Sequence, residues 1–149
     1  MCNVVIASKD ALCQSAKNWF VTKKGYEEGL ESFSNLGDGK QLIIIAHDNE
    51  LADGNGLIAE LQKQAFPMTD FKVILVVCSA AALNDFTTGV VTPAENLANY
   101  FKRSVFASTD IVVGQWDDSG AQFKGNYKEV KPGEDIISKL EGLDLNDKK

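Results

Sequence analysis

Two short apolar runs constrain the fold of this chain more than any other feature. Residues 73–77 (VILVV) are consecutive β-branched or aliphatic residues, and residues 41–46 (QLIIIA) form a second run of the same kind. Both are too short for a helix of ordinary length and rich in Val or Ile, which is typical of strands buried on both faces of a parallel sheet. We therefore predict two central strands. In the strand at 73–77, alternate side chains should face opposite helical layers, with Val73, Leu75 and Val77 on one side and Ile74 and Val76 on the other.

Each of these runs ends at a side chain that can take part in chemistry. His47, the only histidine in the chain, follows the strand at 41–46, and Cys78 follows the strand at 73–77. In an open α/β sheet, the loops at the carboxyl ends of the strands face one crevice, where ligands and reactive groups collect. If the two strands are neighbours, the histidine and this cysteine meet at the same edge of the sheet.

The first third of the chain predicts a strand, a helix and a weak edge strand. The apolar residues 3–7 indicate the strand, and Ser8 is predicted to cap the following helix, with Asp10 near its positive end. Residues 26–33 fit a short edge strand, which Gly29 weakens.

The remaining elements continue the alternation. The polar residues 47–56 predict a flexible loop, and a helix is expected over residues 56–66, stopped by Pro67. Thr92 followed by Pro93 predicts the start of another helix. The other predicted elements are strands at 104–107 and 111–114, a hairpin over 115–127 that turns at 117–120, and a last short helix from Pro132.

This alternation of strands and helices predicts the fold class. We expect a three-layer α/β sandwich with a mainly parallel sheet, with a flavodoxin-like doubly wound sheet as the alternative. The late hairpin predicts an antiparallel extension at one edge of the sheet. The chain has 149 residues, 44% of them hydrophobic, which we interpret as a single domain over residues 1–142 and a polar tail at 143–149.

The charge balance bears on partners and location. The net charge is −6 and the pI about 4.7, and no basic stripe is visible, so we expect neither a nucleic-acid nor a membrane partner. No apolar run approaches the roughly 20 residues that span a bilayer. No basic region of a cleavable signal is visible either. We expect a cytoplasmic protein, or one exported without a cleavable signal peptide, and the oligomeric state stays open.

The sequence carries no pattern typical of a cofactor or metal site. The spacings of Cys2, Cys13 and Cys78 suit neither a disulfide framework nor a zinc site, and a reducing compartment is the simplest interpretation. Gly54 and Gly56 precede a predicted helix, but no dinucleotide or Walker pattern accompanies them. We therefore expect no cofactor and no metal.

A cysteine with a nearby histidine is the minimum set for thiol nucleophilic catalysis. The thiolate is the attacking species, and an imidazole lowers the pKa of the thiol or takes its proton. The same residues are also explained by a Cys78 that only fills core space and a His47 that only bonds to a loop. Residue types alone leave both interpretations open.

This arrangement resembles the caspase-like cysteine peptidases, a clan that includes caspases, legumain, gingipains, CHAT peptidases of the separase type and the self-cleaving domains of large bacterial toxins. The matching pieces are LIIIAH at 42–47 and VILVVCSA at 73–80. A third stretch, FASTDIVVGQWDDSGAQF at 106–123, is similar to the strand and hairpin that follow the catalytic core of bacterial members. The resemblance covers the chain in element order and two short motifs in residues, and it implies a caspase-like fold for residues 1–142.

The resemblance also implies roles for individual residues. Cys78 matches the family nucleophile and His47 the general base, and the backbone amide of Cys78 would supply one oxyanion donor. Asp48, Ser79 and Asp110 are the candidates for the oxyanion and substrate-binding part of the site. The expected partner is a protein or peptide.

Two departures from the family pattern lead to a second function hypothesis. The family usually has Gly directly after the histidine, and this chain has Asp48, whose carboxylate repels a developing negative charge. The separation of His47 from Cys78 is also shorter than the roughly 50 residues noted for caspases. The alternative is thus a catalytically inactive caspase-like domain that acts as a protein-binding effector or regulator.

Overall fold

The computed structural model describes residues 2–78, 80–81 and 92–132. Within these ranges the chain forms eight strands, four α-helices and one 3₁₀ helix. The strands are β1 (Val4–Ala7), β2 (Glu27–Glu28), β3 (Gln41–Ile45), β4 (Lys72–Val76), β5 (Val105–Ser108), β6 (Val113–Asp117), β7 (Gly120–Lys124) and β8 (Tyr127–Val130). The helices are α1 (Ala11–Lys24), α2 (Asp48–Leu51), α3 (Asn55–Leu61) and α4 (Pro93–Phe101), and the 3₁₀ helix is Leu30–Asn35. The helix predicted after Pro132 and the tail at 143–149 fall outside the described residues.

Six of the strands form one sheet in the order β2-β1-β3-β4-β5-β8. The first five run parallel, and β8 pairs antiparallel with β5. The predicted α/β class with a mainly parallel sheet is therefore confirmed. The antiparallel extension at one edge is present, but β8 forms it and not the hairpin that was predicted to do so. The order of the five parallel strands is also that of flavodoxin-like sheets. Strands β6 and β7 form a separate antiparallel hairpin.

The two faces of the six-stranded sheet carry separate hydrophobic clusters. The face that we call the α4 face is covered by α3, α4 and the 3₁₀ helix, and the α1 face is covered by α1 and the β6–β7 hairpin. The strand β4 contributes to both faces, since Val73 and Leu75 belong to one cluster and Ile74 and Val76 contact the other. This is the alternation that the sequence predicts for a strand buried on both sides.

The N-cap of helix α1 lies two residues after the predicted one. Asp10, not Ser8, is the N-cap residue, because its carboxylate accepts hydrogen bonds from the backbone N–H groups of Leu12 and Cys13. The Ser8 hydroxyl instead donates to Glu50 across the sheet edge, at 2.8 Å. The helix ends at Gly25, whose φ of 73° is the left-handed conformation that glycine adopts at little cost.

Two segments that were predicted as a strand and a loop are helical. Only Glu27–Glu28 pairs as the edge strand β2, because Gly29 at φ 98° turns the chain into the 3₁₀ helix. Residues 48–51 form the single turn α2 where the polar composition predicts a flexible loop. The turn is held because the Glu50 carboxylate accepts from the backbone N–H of His47 at 2.8 Å, and this pairing stabilises a helix start. Helix α3 ends at Leu61, before the predicted end at Phe66.

The β6–β7 hairpin lies on α1 rather than extending the main sheet. The indole N–H of Trp116 donates to the Ser15 hydroxyl at 3.0 Å, and that of Trp19 donates to the Asp117 carbonyl at 2.7 Å. The ring of Phe123 stacks on Phe20 with centroids 5.8 Å apart. The strand predicted over 111–114 is thus the beginning of the hairpin arm β6.

No helix within the described ranges is both long and apolar enough to cross a membrane.

Candidate active site

The two central strands bring His47 and Cys78 to the same edge of the sheet. Strands β3 and β4 are parallel neighbours with Ile45 opposite Val76. His47 and Cys78 each follow these paired residues by two positions. The adjacency expected from the sequence is therefore what the strand register gives.

Both side chains line one small cavity of about 80 Å³ on the α1 face. Its walls come from the start of α1, the ends of β3 and β4, and the hairpin. The lining residues beside His47 and Cys78 are Leu12, Cys13, Ala16, Ile45, Ala46, Val76, Val112, Gly114, Trp116 and Phe123. The reactive side chains thus share a largely apolar recess beneath the hairpin.

A carboxylate holds the imidazole of His47. The Nε2 atom lies 3.0 Å from Asp10 Oδ2. The hydrogen bond from His47, together with the bonds from the backbone of α1, lowers the pKa of Asp10 below its ordinary value. An ionised carboxylate only accepts hydrogen bonds, so the shared proton is on Nε2 of the imidazole. In the neutral ring this leaves Nδ1 as the basic nitrogen.

The thiol of Cys78 lies against the backbone of Val112. The N–H of Val112 donates to Sγ at 3.4 Å, and Sγ lies 3.9 Å from the Val112 carbonyl oxygen. Cys78 is half-buried, so its sulfur lies between the cavity and the loop that leads into β6.

Tyr127 closes the sheet next to Cys78. Its hydroxyl donates to the carbonyl of Leu75 at 2.7 Å. Strand β4 pairs with β5 only at Val73 and Ile74. The Tyr127 hydroxyl therefore bonds a β4 carbonyl that lies past the paired residues. Burial, followed by the proximity of Cys78, raises the pKa of Tyr127 to about 12. The phenol is therefore a neutral donor at physiological pH.

The other predicted site residues have local roles in the structure. The Asp48 carboxylate accepts from the backbone N–H of Asn49 at 2.8 Å, within the first turn of α2. Asp110 is exposed, and its carboxylate accepts from the N–H of Ile111 at 2.7 Å. Ser79 lies outside the described residues. The oxyanion and substrate-binding roles of these three residues stay predictions.

Two residues that were not predicted as functional, Asp10 and Cys13, lie at this site. A donor atom from each lies within 4.8 Å of a donor atom of His47. Cys13 is only 4% exposed, and burial raises the pKa of its thiol. The sequence did place both residues at the start of the helix that follows β1. Because β1 is the other parallel neighbour of β3, that helix start lies at the same sheet edge as His47.

A second, larger cavity lies on the other side of β3. It has a volume of about 420 Å³ and shares Ile45 and Ala46 with the small cavity. Its apolar lining includes Ile6, Leu30 and Leu57. A recess of this size next to the candidate residues is large enough for a peptide side chain.

Comparison with known protein families, with curated proteins and with solved structures finds no match for this chain. The function is therefore argued from the geometry of the site.

Proposed function

We propose that this protein is a cysteine peptidase of the caspase-like type, in which Cys78 is the nucleophile, His47 the general base and Asp10 the residue that orients His47. The observation that carries the proposal is the shared cavity: the sole histidine, already paired with a carboxylate, and a half-buried cysteine line the same recess at the ends of adjacent strands. A nucleophile, a base and an orienting carboxylate are the three parts of an activated thiol.

The proposed chemistry uses each of these groups once. His47 takes the thiol proton of Cys78, and the sulfur attacks a peptide carbonyl to form a tetrahedral oxyanion. The backbone N–H of Cys78 is the proposed donor to that oxyanion. The C–N bond then breaks, the amine leaves with the proton from His47, and a thioester remains on Cys78. Water, deprotonated by His47, attacks the thioester carbonyl. The C–S bond then breaks, the carboxylic acid is released, and Cys78 takes back its proton from His47.

Of the two cysteines that line the cavity, Cys78 suits the nucleophilic role better. Cys13 is a buried residue of α1, and burial raises the pKa of its thiol, which disfavours the reactive thiolate. Cys78 follows a strand, is more exposed and accepts a hydrogen bond from a backbone N–H at its sulfur. These environments favour a reactive Cys78 and an unreactive Cys13.

The elements from β5 onwards support the caspase-like form of the proposal. Strand β5 and the β6–β7 hairpin that follows it correspond in order to the strand and hairpin of the resemblance. The 420 Å³ cavity next to Ala46 offers room for one side chain of a peptide substrate. The proposed partner is accordingly a protein or peptide.

A specific contact favours the second candidate function, an inactive caspase-like domain that binds another protein. The backbone of Val112 lies against the Cys78 sulfur on both its N–H and its C=O side. The cavity around the sulfur, at about 80 Å³, is smaller than the clefts of about 300–1,000 Å³ that bind small molecules. Catalysis therefore requires the loop before β6 to move, whereas a binding role does not.

Alkylation rates at the three cysteines test the proposal. We expect iodoacetamide at pH 6 to label Cys78 at least about tenfold faster than Cys2 or Cys13, because a thiol whose proton a neighbouring imidazole accepts is a better nucleophile than an unpaired thiol. His47→Ala should slow labelling of Cys78 and leave Cys2 unchanged. If the domain is instead the inactive alternative, labelling of Cys78 should be ordinary, and Asp48→Gly, which restores the residue usual in the family, should raise it. Mass spectrometry of the peptides gives each rate separately.

Peptide cleavage is the second arm of the test. Incubation with a peptide library should yield new termini with the wild-type protein and none with Cys78→Ala, while the matched variant Cys2→Ala should cleave as wild type does. Equal labelling of all three cysteines that is indifferent to His47, together with no cleavage, would reject the peptidase and leave the binding role.

A further inference from the structure

Three side chains with metal-binding chemistry meet at the amino end of α1. Asp10 and Cys13 lie three positions apart at the start of this helix and therefore share one of its faces. His47 lies at the end of β3, and β3 is a parallel neighbour of β1, so the segments that follow the two strands leave the sheet at the same edge. One donor atom from each residue lies within 4.8 Å of the donor atoms of the other two.

The separations are close to those of a bound transition-metal ion. Zinc binds thiolate sulfur at about 2.3 Å and imidazole nitrogen or carboxylate oxygen at about 2.0–2.2 Å. Tetrahedral ligands at these distances are roughly 3.3–3.8 Å apart. The imidazole and the carboxylate, at 3.0 Å, have to separate slightly, and any pair near the 4.8 Å limit has to close by about 1 Å. Rotations of the side chains supply movements of this size.

The donor types select the class of metal. Cys13, a thiol in the metal-free protein, releases its proton to solvent when it binds a metal. A thiolate, an imidazole and a carboxylate suit Zn²⁺ and similar first-row ions, whereas Mg²⁺ and Ca²⁺ prefer sites made only of oxygen. We infer that Asp10, Cys13 and His47 form a three-residue binding site for Zn²⁺. Three protein ligands leave the fourth tetrahedral position open.

The fourth ligand is either water or the thiolate of Cys78. Cys78 lines the same 80 Å³ cavity as Cys13 and His47, which makes its sulfur the protein candidate for the fourth position. The two possibilities differ in the number of sulfur ligands, which the experiment below counts.

Zinc at this site removes the imidazole of His47 from any other role. If Cys78 and His47 form the proposed peptidase centre, zinc is therefore its inhibitor, because the base is coordinated and can no longer accept the thiol proton. This consequence rests on the proposed function, whereas the binding itself does not.

Titration with Co²⁺, a spectroscopic substitute for zinc, tests the site in the full chain, reduced with a phosphine and freed of metal by a chelator. We expect a near-ultraviolet thiolate-to-metal band and visible bands of tetrahedral intensity, which Zn²⁺ displaces and Mg²⁺ does not. In Cys13→Ser the thiolate band should weaken or vanish. The Kd of the Cys13→Ser variant for Co²⁺ should rise by at least about 100-fold, since loss of even an outer-shell partner lowers metal affinity by about 10–100-fold.

Matched variants separate this site from the other thiols. Cys2→Ser should bind Co²⁺ as wild type does. In Cys78→Ser the thiolate band should be unchanged if water is the fourth ligand and about halved if Cys78 supplies it. Asp10→Asn preserves an N-cap side chain for α1, so it should stay folded and bind at least about tenfold more weakly. Circular dichroism melts without metal check the fold of each variant.

Two outcomes overturn the site. Binding with unchanged affinity in both Cys13→Ser and Asp10→Asn places the metal elsewhere, and the lack of a thiolate band in the wild-type protein removes Cys13 as a ligand. Cleavage of peptides plays no part in these measurements. A protein that binds zinc but cleaves nothing therefore rejects the proposed peptidase while leaving the metal site standing.

Discussion

The two faces of the sheet differ in how completely their side chains are buried. On the α4 face, rings pack around the fully buried Phe33 and Phe101, whose centroids are 5.9 Å apart. On the α1 face, the hairpin contributes Trp116 and Phe123, which are only partly buried. All the reactive side chains that line the small cavity lie on this second face. The comparison indicates that the α4 face carries most of the stability, and that the α1 face holds the candidate site.

The covers of the two faces explain this difference. Helix α4 buries an apolar stripe that includes Leu97, Ala98 and Phe101, so opening this face exposes much apolar area. The hairpin is held by ring contacts and a few polar contacts with α1, such as the bond from Trp116 to Ser15. Segments with fewer buried apolar contacts open at lower free energy. We therefore expect the hairpin side to open first, which is the movement that access to Cys78 requires.

Two neighbouring residues of β4 give the largest expected effect. Leu75 is fully buried on the α4 face, and Ile74 is partly buried on the α1 face. Leu75→Ala should lower the free energy of unfolding by about 3–5 kcal/mol, and Ile74→Ala by about 2 kcal/mol or less, because the cavity is larger where the surroundings are closed. Denaturant melts of both variants measure the two losses.

Equal losses for the two variants would contradict the difference between the faces. Ile43→Ala, on β3 and in the cluster of the α1 face, is the matched control, because it tests whether the loss follows the face or the burial of one position. Ile43 is 4% exposed, so its loss should fall between those of Ile74 and Leu75.

The central sheet could be predicted because its signals are local. The consecutive apolar residues of β3 and β4 indicate both that these segments are strands and that they are buried on both faces. The same signals failed where side chains act at a distance. Residues 48–51 read as a flexible loop because nothing in the sequence shows that the Ser8 hydroxyl and the backbone of His47 both reach the carboxylate of Glu50. The predicted extent of the edge strand β2 was wrong for a different reason, since it depended on the backbone angle of Gly29.

The candidate site was predictable only in part for the same reason. His47 and Cys78 could be found because each follows a strong strand signal, and parallel strands share an edge. Asp10 and Cys13 read as ordinary residues of a helix start. Their meeting with His47 depends on β1 lying beside β3, and the order of strands in a sheet is not encoded in any local pattern.

An intermediate effect is expected from Tyr127, beside Cys78. Tyr127→Phe should cost about 1–3 kcal/mol near neutral pH, because the carbonyl of Leu75 loses its donor. Folding raises the pKa of Tyr127 from 10.0 to about 12, so the fold favours the neutral phenol. Its contribution to stability is therefore fully present below about pH 10 and is lost as the pH rises towards 12. Denaturant melts between pH 9 and 12 should give a flatter profile for the variant than for wild type.

Tyr100, on the α4 face, is the control for this pH dependence. Burial raises its pKa as well, so Tyr100→Phe should also flatten the profile, but by less than Tyr127→Phe does. A profile that is flattened more by Tyr100→Phe would place the principal buried phenol on the α4 face and not beside the cysteine.

The smallest effect is expected where the hairpin meets the end of α1. Lys23 Nζ lies 3.0 Å from Asp118 Oδ1, but the side chain of Asp118 is 97% exposed. Water screens such a pair, and ordering two exposed side chains costs entropy, so Asp118→Asn should change the free energy of unfolding by no more than about 0.5 kcal/mol. Trp19→Phe, which removes the hydrogen bond to the Asp117 carbonyl, should cost about 1 kcal/mol. Melts at low and high salt measure both. A loss above 1 kcal/mol for Asp118→Asn that disappears in salt would mean that charge, and not ring packing, holds the hairpin over Cys78.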